Sequence, residues 1–153
     1  MMSLASEVIR TLQGKTLATA ESCTGGGIGA ALTAVSGSSA VYKGGIISYC
    51  NEVKHGLLGV SRESLEKLGA VSSQVAAEMA RGARETLHTD VAVSVTGLAG
   101  PGGDAFGNPV GTVFIGYADK EKTTVSHFVF SGDREAVRRQ ATEEALKLIL
   151  KNA

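Results

Sequence analysis

The sequence contains no tryptophan, and aromatic residues make up only 5% of its 153 residues. Proline and cysteine occur twice each, and neither sign of charge is in excess, because 15 Lys and Arg residues balance 15 Asp and Glu residues. With so few aromatic side chains, the core must be built from Val, Ile, Leu and Ala. A chain without net charge offers no electrostatic basis for binding nucleic acid or an acidic membrane surface, so we expect neither as a partner.

Other absences concern location and metal binding. The sequence has no apolar run long enough for a transmembrane helix and no signal-like N-terminus, so we expect a cytoplasmic protein. Cys23 and Cys50 lack the spacing of a metal motif. They are interpreted as free thiols of a reducing compartment, with a disulfide between them as the alternative. We therefore expect no metal site.

Glycine is abundant, with 20 residues, which is typical of tight turns in a compact α/β chain. Hydrophobic periodicity predicts strands at 16–20, 41–49 and 90–95, followed by a hairpin of strands at 110–117 and 123–130. It predicts helices at 3–13, 51–58, 61–69, 73–87 and 133–151, and one more that follows the first strand and its glycine turn and ends at about residue 35. The order predicts one α/β domain over residues 1–153. We expect a three-layer sandwich in which a mixed, mostly parallel sheet has helices on both faces and ends in a hairpin plus a helix.

The turn between the first strand and the next helix carries a hydroxyl, a thiol and three glycines, namely Ser22, Cys23, Gly25, Gly26 and Gly27. Such a turn places a side chain above the sheet edge and directs free helix N–H groups at a ligand. A nucleophile beside anion donors is half of an acyl-transfer site. The alternatives are that the glycines only permit a sharp turn, or that the Cys23 thiolate is the nucleophile.

A serine nucleophile needs a base, and the segment after the second strand offers Lys54 and His55. A lysine base near pKa 7–8 requires a shift of about three units from its ordinary value, which burial can supply. The alternative is a charged surface lysine. Tyr49 could pass a proton between Ser22 and Lys54, or it could be an aromatic residue at the rim of a site.

A glycine-rich loop spans residues 97–109 and follows Thr96. Its backbone N–H groups could approach an anion closely, and the residues predicted to bind substrate here are Thr96, Gly97, Gly100 and Gly102. It matches neither a Walker loop nor the dinucleotide fingerprint, so no nucleoside triphosphate is expected. Because this loop and Ser22 each follow a strand, they would line one crevice if those strands are parallel.

Two arginines near the start of the last helix are electrostatically unfavourable in their positions. Arg134 lies in the first turn, where a cation opposes the helix dipole, and its i+4 neighbour is Arg138. A bound anion such as a phosphate would remove this conflict. The alternative is screening by salt and by the neighbouring Asp133 and Glu135.

Together these segments resemble the C-terminal domain family of the competence/damage-inducible protein CinA, in one order over nearly the whole chain. The resemblance is carried by Ala20-Glu21-Ser22-Cys23-Thr24-Gly25-Gly26, Tyr49-Cys50-Asn51-Glu52-Val53-Lys54, Gly69-Ala70-Val71-Ser72, Thr96-Gly97-Leu98-Ala99-Gly100-Pro101-Gly102-Gly103, Pro109-Val110-Gly111-Thr112-Val113, and Ser131-Gly132-Asp133-Arg134 through Arg138-Arg139. Stand-alone members of that family act as nicotinamide mononucleotide deamidases in pyridine nucleotide salvage, without a metal.

The resemblance implies a serine–lysine amidase without a cofactor that acts on a pyridine mononucleotide. Ser22 matches the nucleophile, Lys54 the base, Tyr49 a residue that assists proton transfer, and Arg134 a residue near the substrate phosphate. The proposed mechanism has backbone N–H groups of Cys23, Thr24, Gly25 and Gly26 stabilising the oxyanion, while the 97–109 loop, Arg134 and Arg138 hold the ribose and phosphate. Family members often have Ser in place of Cys50.

Two other function classes stay open from the sequence. One is a non-catalytic nucleotide-binding or regulatory module, and the other is an assembly domain of the same fold. A homodimer or higher homo-oligomer is possible, because the chain has amphipathic helices and an edge strand.

Overall fold

The computed structural model describes residues 2–153 and contains one five-stranded sheet in the order β2-β1-β3-β4-β5. The strands are β1 (Leu17–Glu21), β2 (Tyr42–Ile47), β3 (Val91–Gly97), β4 (Thr112–Ala118) and β5 (Thr123–Val129). β1 is parallel to β2 and β3, whereas β4 is antiparallel to β3 and β5. The predicted mixed sheet and C-terminal hairpin are confirmed. Parallel pairing is less dominant than predicted, because β4 returns beside β3 and makes two of the four pairings antiparallel.

The helices are α1 (Leu4–Thr11), α2 (Gly27–Thr33), α3 (Asn51–Leu58), α4 (Arg62–Lys67), α5 (Ser73–Leu87) and α6 (Arg134–Asn152), with a 3₁₀ turn at Ser38–Ala40. Ser3, Ser61 and Ser72 cap α1, α4 and α5, and each side chain accepts a hydrogen bond from the backbone N–H three residues later. Asn51 is the first residue of α3, and the capping position before it is Cys50, whose side chain makes no capping hydrogen bond.

Helices cover both faces of the sheet, as predicted, and each face has its own core. Along β1, Leu17 packs with residues of α1, α2 and α6, whereas Ala18 and Ala20 pack with residues of α3, α4 and α5. This alternation is the two-residue period of a strand buried on both faces.

Small residues let α5 lie close to the sheet and to α3. Ser94 Oγ donates to the Ala76 carbonyl at 2.6 Å, and a Cβ added to Gly116 would lie 2.6 Å from the same carbonyl oxygen. Where α3 crosses α5, a Cβ on Gly82 would overlap the Leu58 carbonyl oxygen. The glycine therefore sets how closely α3 approaches the rest of the molecule.

The parallel strands β1, β2 and β3 all end at the same edge of the sheet. β1 is followed directly by Ser22, β2 by Ser48 and Tyr49, and β3 by the 97–109 loop. Ligand crevices of α/β sheets form at this kind of edge. Within residues 2–153, no helix has both the length and the hydropathy needed to cross a membrane.

Candidate active site

Ser22 and Lys54 meet at the sheet edge. The Ser22 N–H donates to the Val95 carbonyl at 3.0 Å, which anchors Ser22 to the end of β3. Lys54 lies in the first turns of α3, and its Nζ donates to Ser22 Oγ at 3.1 Å and to the Ser48 carbonyl at 2.6 Å. A hydroxyl and an amine are therefore in direct contact, which is the geometry that a serine nucleophile and its base require.

The amine of Lys54 lies in a dry environment, because the residue is only 2% exposed. Burial lowers the pKa of Lys54, while the nearby Cys50 and Cys23 act in the opposite direction. The salt bridges formed by residues 2–153 do not include Lys54. With a hydroxyl and a carbonyl as its partners and no carboxylate, the side chain can exist as the neutral amine that a base must be.

His55, the other candidate base, does not reach Ser22. Its Nδ1 lies 2.8 Å from the Val60 carbonyl oxygen. Adjacent residues of a helix point about 100° apart, so only one of Lys54 and His55 can face the strand end. The structure places Lys54 there.

Cys23, the rival nucleophile, packs into the core and is 5% exposed. Burial raises the pKa of Cys23 to about 11, so the thiol stays protonated near neutral pH. Cys23 and Cys50 are both free thiols. The hydroxyl of Ser22, not the thiol of Cys23, is the group that contacts the amine.

The turn from β1 to α2, residues 22–26, is held by a carboxylate that the sequence analysis did not single out. Glu21 is 2% exposed and accepts hydrogen bonds from Thr24 Oγ1 at 2.7 Å, Ile28 N at 2.8 Å and Gly29 N at 3.0 Å. The signal in the sequence was an acidic residue at the end of a buried strand, ahead of a helix whose cap is glycine. The Thr24 side chain therefore points to Glu21, and only its backbone N–H, the group predicted to contact the oxyanion, is left for a ligand.

The N–H groups of this turn divide into engaged and free ones. The Gly25 N–H donates to the Ser22 carbonyl at 3.0 Å, so it is not a free donor, and neither Gly25 nor Gly26 lines the cavity described below. The N–H groups of Cys23, Thr24 and Gly26 have no hydrogen-bond acceptor among residues 2–153. Of these three residues only Cys23 lines the cavity, so its N–H is the free donor nearest to a ligand bound there.

A cavity of about 420 Å³ opens over the Ser22–Lys54 contact. This volume lies within the usual range of small-molecule sites. The four residues of the third strand end that were predicted to bind substrate all line it, together with apolar neighbours: Thr96, Gly97, Gly100, Gly102, Ala70, Val71 and Pro101. The Thr96 hydroxyl is engaged, because it donates to the Ala70 carbonyl at 2.8 Å.

Arg134 and Tyr49 form the rim of the cavity. The Arg134 guanidinium donates to the Gly100 carbonyl at 2.8 Å and to the Tyr49 hydroxyl at 2.9 Å. Tyr49 is 62% exposed, and its hydroxyl has no hydrogen bond to Ser22 or Lys54. Ser22 contacts Lys54 directly and Tyr49 lies at the entrance, so the relay through Tyr49 stays a prediction.

Arg138 lies behind the turn and does not line the cavity. Its Nε donates to the Cys23 carbonyl at 3.0 Å and its Nη2 to the Thr24 carbonyl at 3.3 Å. Two backbone carbonyls occupy this guanidinium, so the contact of Arg138 with substrate stays a prediction. Residues 2–153 contain no group of three or more His, Cys, Asp and Glu side chains arranged to hold a metal ion.

Comparison with known proteins identifies close relatives. A family model described as the CinA C-terminal domain matches residues 1–153. A protein of Enterobacter agglomerans named nicotinamide-nucleotide amidohydrolase PncC is 51% identical over 138 residues, covering 87% of this chain and 84% of the relative. The protein of that name from Escherichia coli K12 is 44% identical over 152 residues, covering 97% and 92%.

Longer relatives match as well. A CinA-like protein of Thermosynechococcus vestitus is 51% identical over 152 residues, covering 96% of this chain but 36% of its own length. The chain thus spans about a third of the length of such relatives. Among solved structures, a CinA superfamily protein from Escherichia coli superposes with a TM-score of 0.95 at 38% identity, covering 98% of this chain and 88% of that chain.

Proposed function

The chain belongs to the CinA C-terminal domain family, and we propose that it hydrolyses the carboxamide of nicotinamide mononucleotide to nicotinate mononucleotide and ammonia. The observation that carries the proposal is the 3.1 Å contact between Ser22 Oγ and Lys54 Nζ. The names of two relatives at 51% and 44% identity support the same chemistry. We propose further that residues 1–153 form a single domain that contains the whole site.

The first half of the reaction is acyl transfer to Ser22. Neutral Lys54 accepts the Ser22 proton, and Ser22 Oγ attacks the carboxamide carbon. The free N–H group of Cys23, which lines the cavity, stabilises the resulting oxyanion, a contribution worth roughly 3–4 kcal/mol per donor where it has been measured. The Lys54 ammonium then protonates the leaving nitrogen, so that the C–N bond breaks, ammonia departs and the amine is neutral again.

The second half hydrolyses the acyl-enzyme. Lys54 removes a proton from a water molecule, and the hydroxide attacks the ester carbon. Collapse of the intermediate breaks the bond to Ser22 Oγ, which regains its proton from Lys54. Throughout the cycle the Ser48 carbonyl, 2.6 Å from Lys54 Nζ, holds one N–H of the amine and so directs the lone pair toward the reacting atoms.

The phosphate of the substrate would bind at the rim. Arg134 is the first residue of α6, and its side chain extends from the helix to the cavity rim, where it contacts Gly100 and Tyr49. Its present partners, a neutral hydroxyl and a carbonyl, leave its charge uncompensated. A phosphate dianion would supply the missing charge, with the ribose against the backbone of residues 97–103.

The test is ammonia release from nicotinamide mononucleotide. We expect the wild-type protein to release ammonia, and both Ser22→Ala and Lys54→Met to release it at least about a thousandfold more slowly. Arg134→Gln should raise KM for the mononucleotide by about tenfold or more, because a charge-assisted contact is lost. Nicotinamide riboside, which lacks the phosphate, is the matched substrate for which this variant should behave like the wild type.

Three results would contradict the proposal. Unchanged turnover by Ser22→Ala or Lys54→Met would remove the serine–lysine pair from the mechanism. Binding of the mononucleotide without ammonia release would favour the non-catalytic binding module. Neither binding nor release would favour the assembly domain.

A further inference from the structure

We propose that Glu21 is a positioning residue that fixes both Ser22 and Lys54 for the reaction. The inference rests on the proposed function of the same site. Glu21 does not line the cavity over Ser22, so it acts through the residues that it holds.

The carboxylate of Glu21 fixes the turn that carries Ser22. Its Oε1 accepts from Thr24 Oγ1 and Ile28 N, and its Oε2 accepts from Gly29 N. The residue at the N-cap of α2 is Gly26, which has no side chain to satisfy these helix N–H groups. A helix of seven residues is marginal by itself, so the carboxylate is what ties the start of α2 to the end of β1.

The hydrogen bonds to the buried Glu21 carboxylate all come from this segment. Glu21 is 2% exposed, and the salt bridges among residues 2–153 do not include it. A buried carboxylate without a cation is costly unless donors surround it. Here two helix N–H groups and one hydroxyl do so, and their position at the N-terminus of a helix favours a negative charge. Any displacement of residues 22–29 would therefore leave the carboxylate partly unsatisfied.

The backbone of Glu21 fixes the base. The Ser48 N–H donates to the Glu21 carbonyl at 2.7 Å, and Ser48 Oγ donates to the same carbonyl at 3.3 Å. The carbonyl of Ser48 in turn accepts from Lys54 Nζ. One residue is thus connected to the nucleophile through its side chain and its peptide bond, and to the base through its carbonyl.

Substitutions can separate positioning from stability. In Glu21→Gln, the amide oxygen can keep the bonds from Thr24 and Ile28, but the amide nitrogen faces the Gly29 N–H, donor against donor. Thr24→Val removes only the hydroxyl from a residue that is 1% exposed, at nearly constant shape. Thr33→Val is the matched control, because its hydroxyl bonds to Gly29 and Ala30 carbonyls and not to Glu21.

The experiment measures kcat and KM for ammonia release from nicotinamide mononucleotide, at a temperature well below the unfolding transition of each variant. We expect kcat of Glu21→Gln to fall about 10- to 100-fold with KM within about twofold, because a small misplacement of reacting groups acts on the transition state. Thr24→Val should show a smaller fall in kcat, and Thr33→Val none. Unchanged kcat with a lowered unfolding temperature would overturn the proposal, since Glu21 would then be structural only.

A second readout does not depend on the substrate. A fluorophosphonate reacts with an activated serine: the Ser22 Oγ–P bond forms, the P–F bond breaks, fluoride leaves and Lys54 takes the hydroxyl proton. Intact-mass analysis gives the rate of this addition. We expect labelling of the wild type at Ser22, slowed in Glu21→Gln by a factor similar to the fall in kcat.

The two readouts distinguish the two proposals. If the wild type is labelled but releases no ammonia, the proposed function fails, and the ratio of labelling rates still tests Glu21. Equal labelling rates in the wild type and Glu21→Gln would overturn the role of Glu21 alone. A wild type that shows neither reaction would overturn both. If Glu21→Gln does not fold, the ratio of labelling rates between the wild type and Thr24→Val tests the role of Glu21 instead.

Discussion

At the scale of single residues, the environment of one amine determines which chemistry the site can perform. Lys54 is buried, contacts a hydroxyl and a carbonyl, and has no carboxylate partner among the salt bridges of residues 2–153. A carboxylate in contact would stabilise the ammonium and keep the proton on Lys54. Desolvation without such a partner favours the neutral form, which is the form that can deprotonate Ser22.

The pH dependence of the reaction follows from this environment. The base works when it is neutral, so kcat/KM for ammonia release should rise with pH as Lys54 loses its proton. Because burial lowers the pKa of Lys54, the midpoint of this rise should lie below the ordinary lysine value of about 10.4. Lys54→Arg should be inactive at every pH, because a guanidinium stays protonated.

Steady-state rates from pH 5 to 10 provide the measurement, with Arg139→Lys on the exposed face of α6 as a control. A midpoint near the ordinary lysine value would contradict the prediction. So would an active Lys54→Arg variant.

Strand ends indicated where Ser22 and Lys54 lie, whereas the sequence did not indicate which of two neighbouring arginine side chains reaches the cavity. Ser22 and Lys54 follow or flank strand ends, and the resemblance assigned their roles. Arg134 and Arg138 lie one helical turn apart, yet Arg134 reaches the cavity rim while Arg138 reaches the carbonyls behind the β1–α2 turn. The two arginines differ in their contacts because of how α6 packs against that turn, and hydrophobic periodicity contains no information about this packing.

At the scale of elements, the position of α3 matters most, because this helix carries Lys54. The helix is held against α5 at Gly82, where no side chain separates the α5 backbone from the Leu58 carbonyl. Helix bounds were predictable where a side-chain cap is present, as Ser72 shows for α5, which begins at Ser73. The close crossing of α3 and α5 was not, because a glycine in a helical pattern does not reveal what it contacts.

Two glycine-to-alanine substitutions test this packing. Gly82→Ala should destabilise the protein by about 1–3 kcal/mol, because the added methyl overlaps the Leu58 carbonyl, and should lower kcat because α3 must shift. Gly56→Ala, also within a helix, has open space around the added Cβ. It should stabilise by about 0.5–1 kcal/mol through helix propensity and leave kcat unchanged.

Urea unfolding combined with ammonia release measures both effects. The interpretation would be contradicted if the two variants changed the free energy of unfolding by the same amount. If Gly82→Ala were destabilised but kept the wild-type kcat, the reaction would tolerate a shift of α3.

At the scale of the whole molecule, parallel strand order brings distant segments to one edge. Ser22 and Lys54 are 32 residues apart in sequence, and Tyr49 and Arg134 are 85 apart. The family match over residues 1–153 confirms the resemblance seen in the sequence, and the predicted crevice follows from the parallel strands. The path of the 97–109 loop was not predictable, because its contacts include residues distant in sequence, such as the Val71 carbonyl, to which Asn108 donates at 3.3 Å, and Arg134, which donates to the Gly100 carbonyl.

In the proposed mechanism an uncharged Lys54 amine receives the Ser22 proton, and a direct titration of that amine tests this step. Lysine labelled with ¹³C at Cε allows each side chain to be followed by NMR, and the signal missing from Lys54→Met identifies Lys54. We expect this signal to titrate at lower pH than those of the other lysines and to coincide with the rise in kcat/KM. If Lys54 instead titrates together with the surface lysines, near the ordinary value of about 10.4, the claim is contradicted.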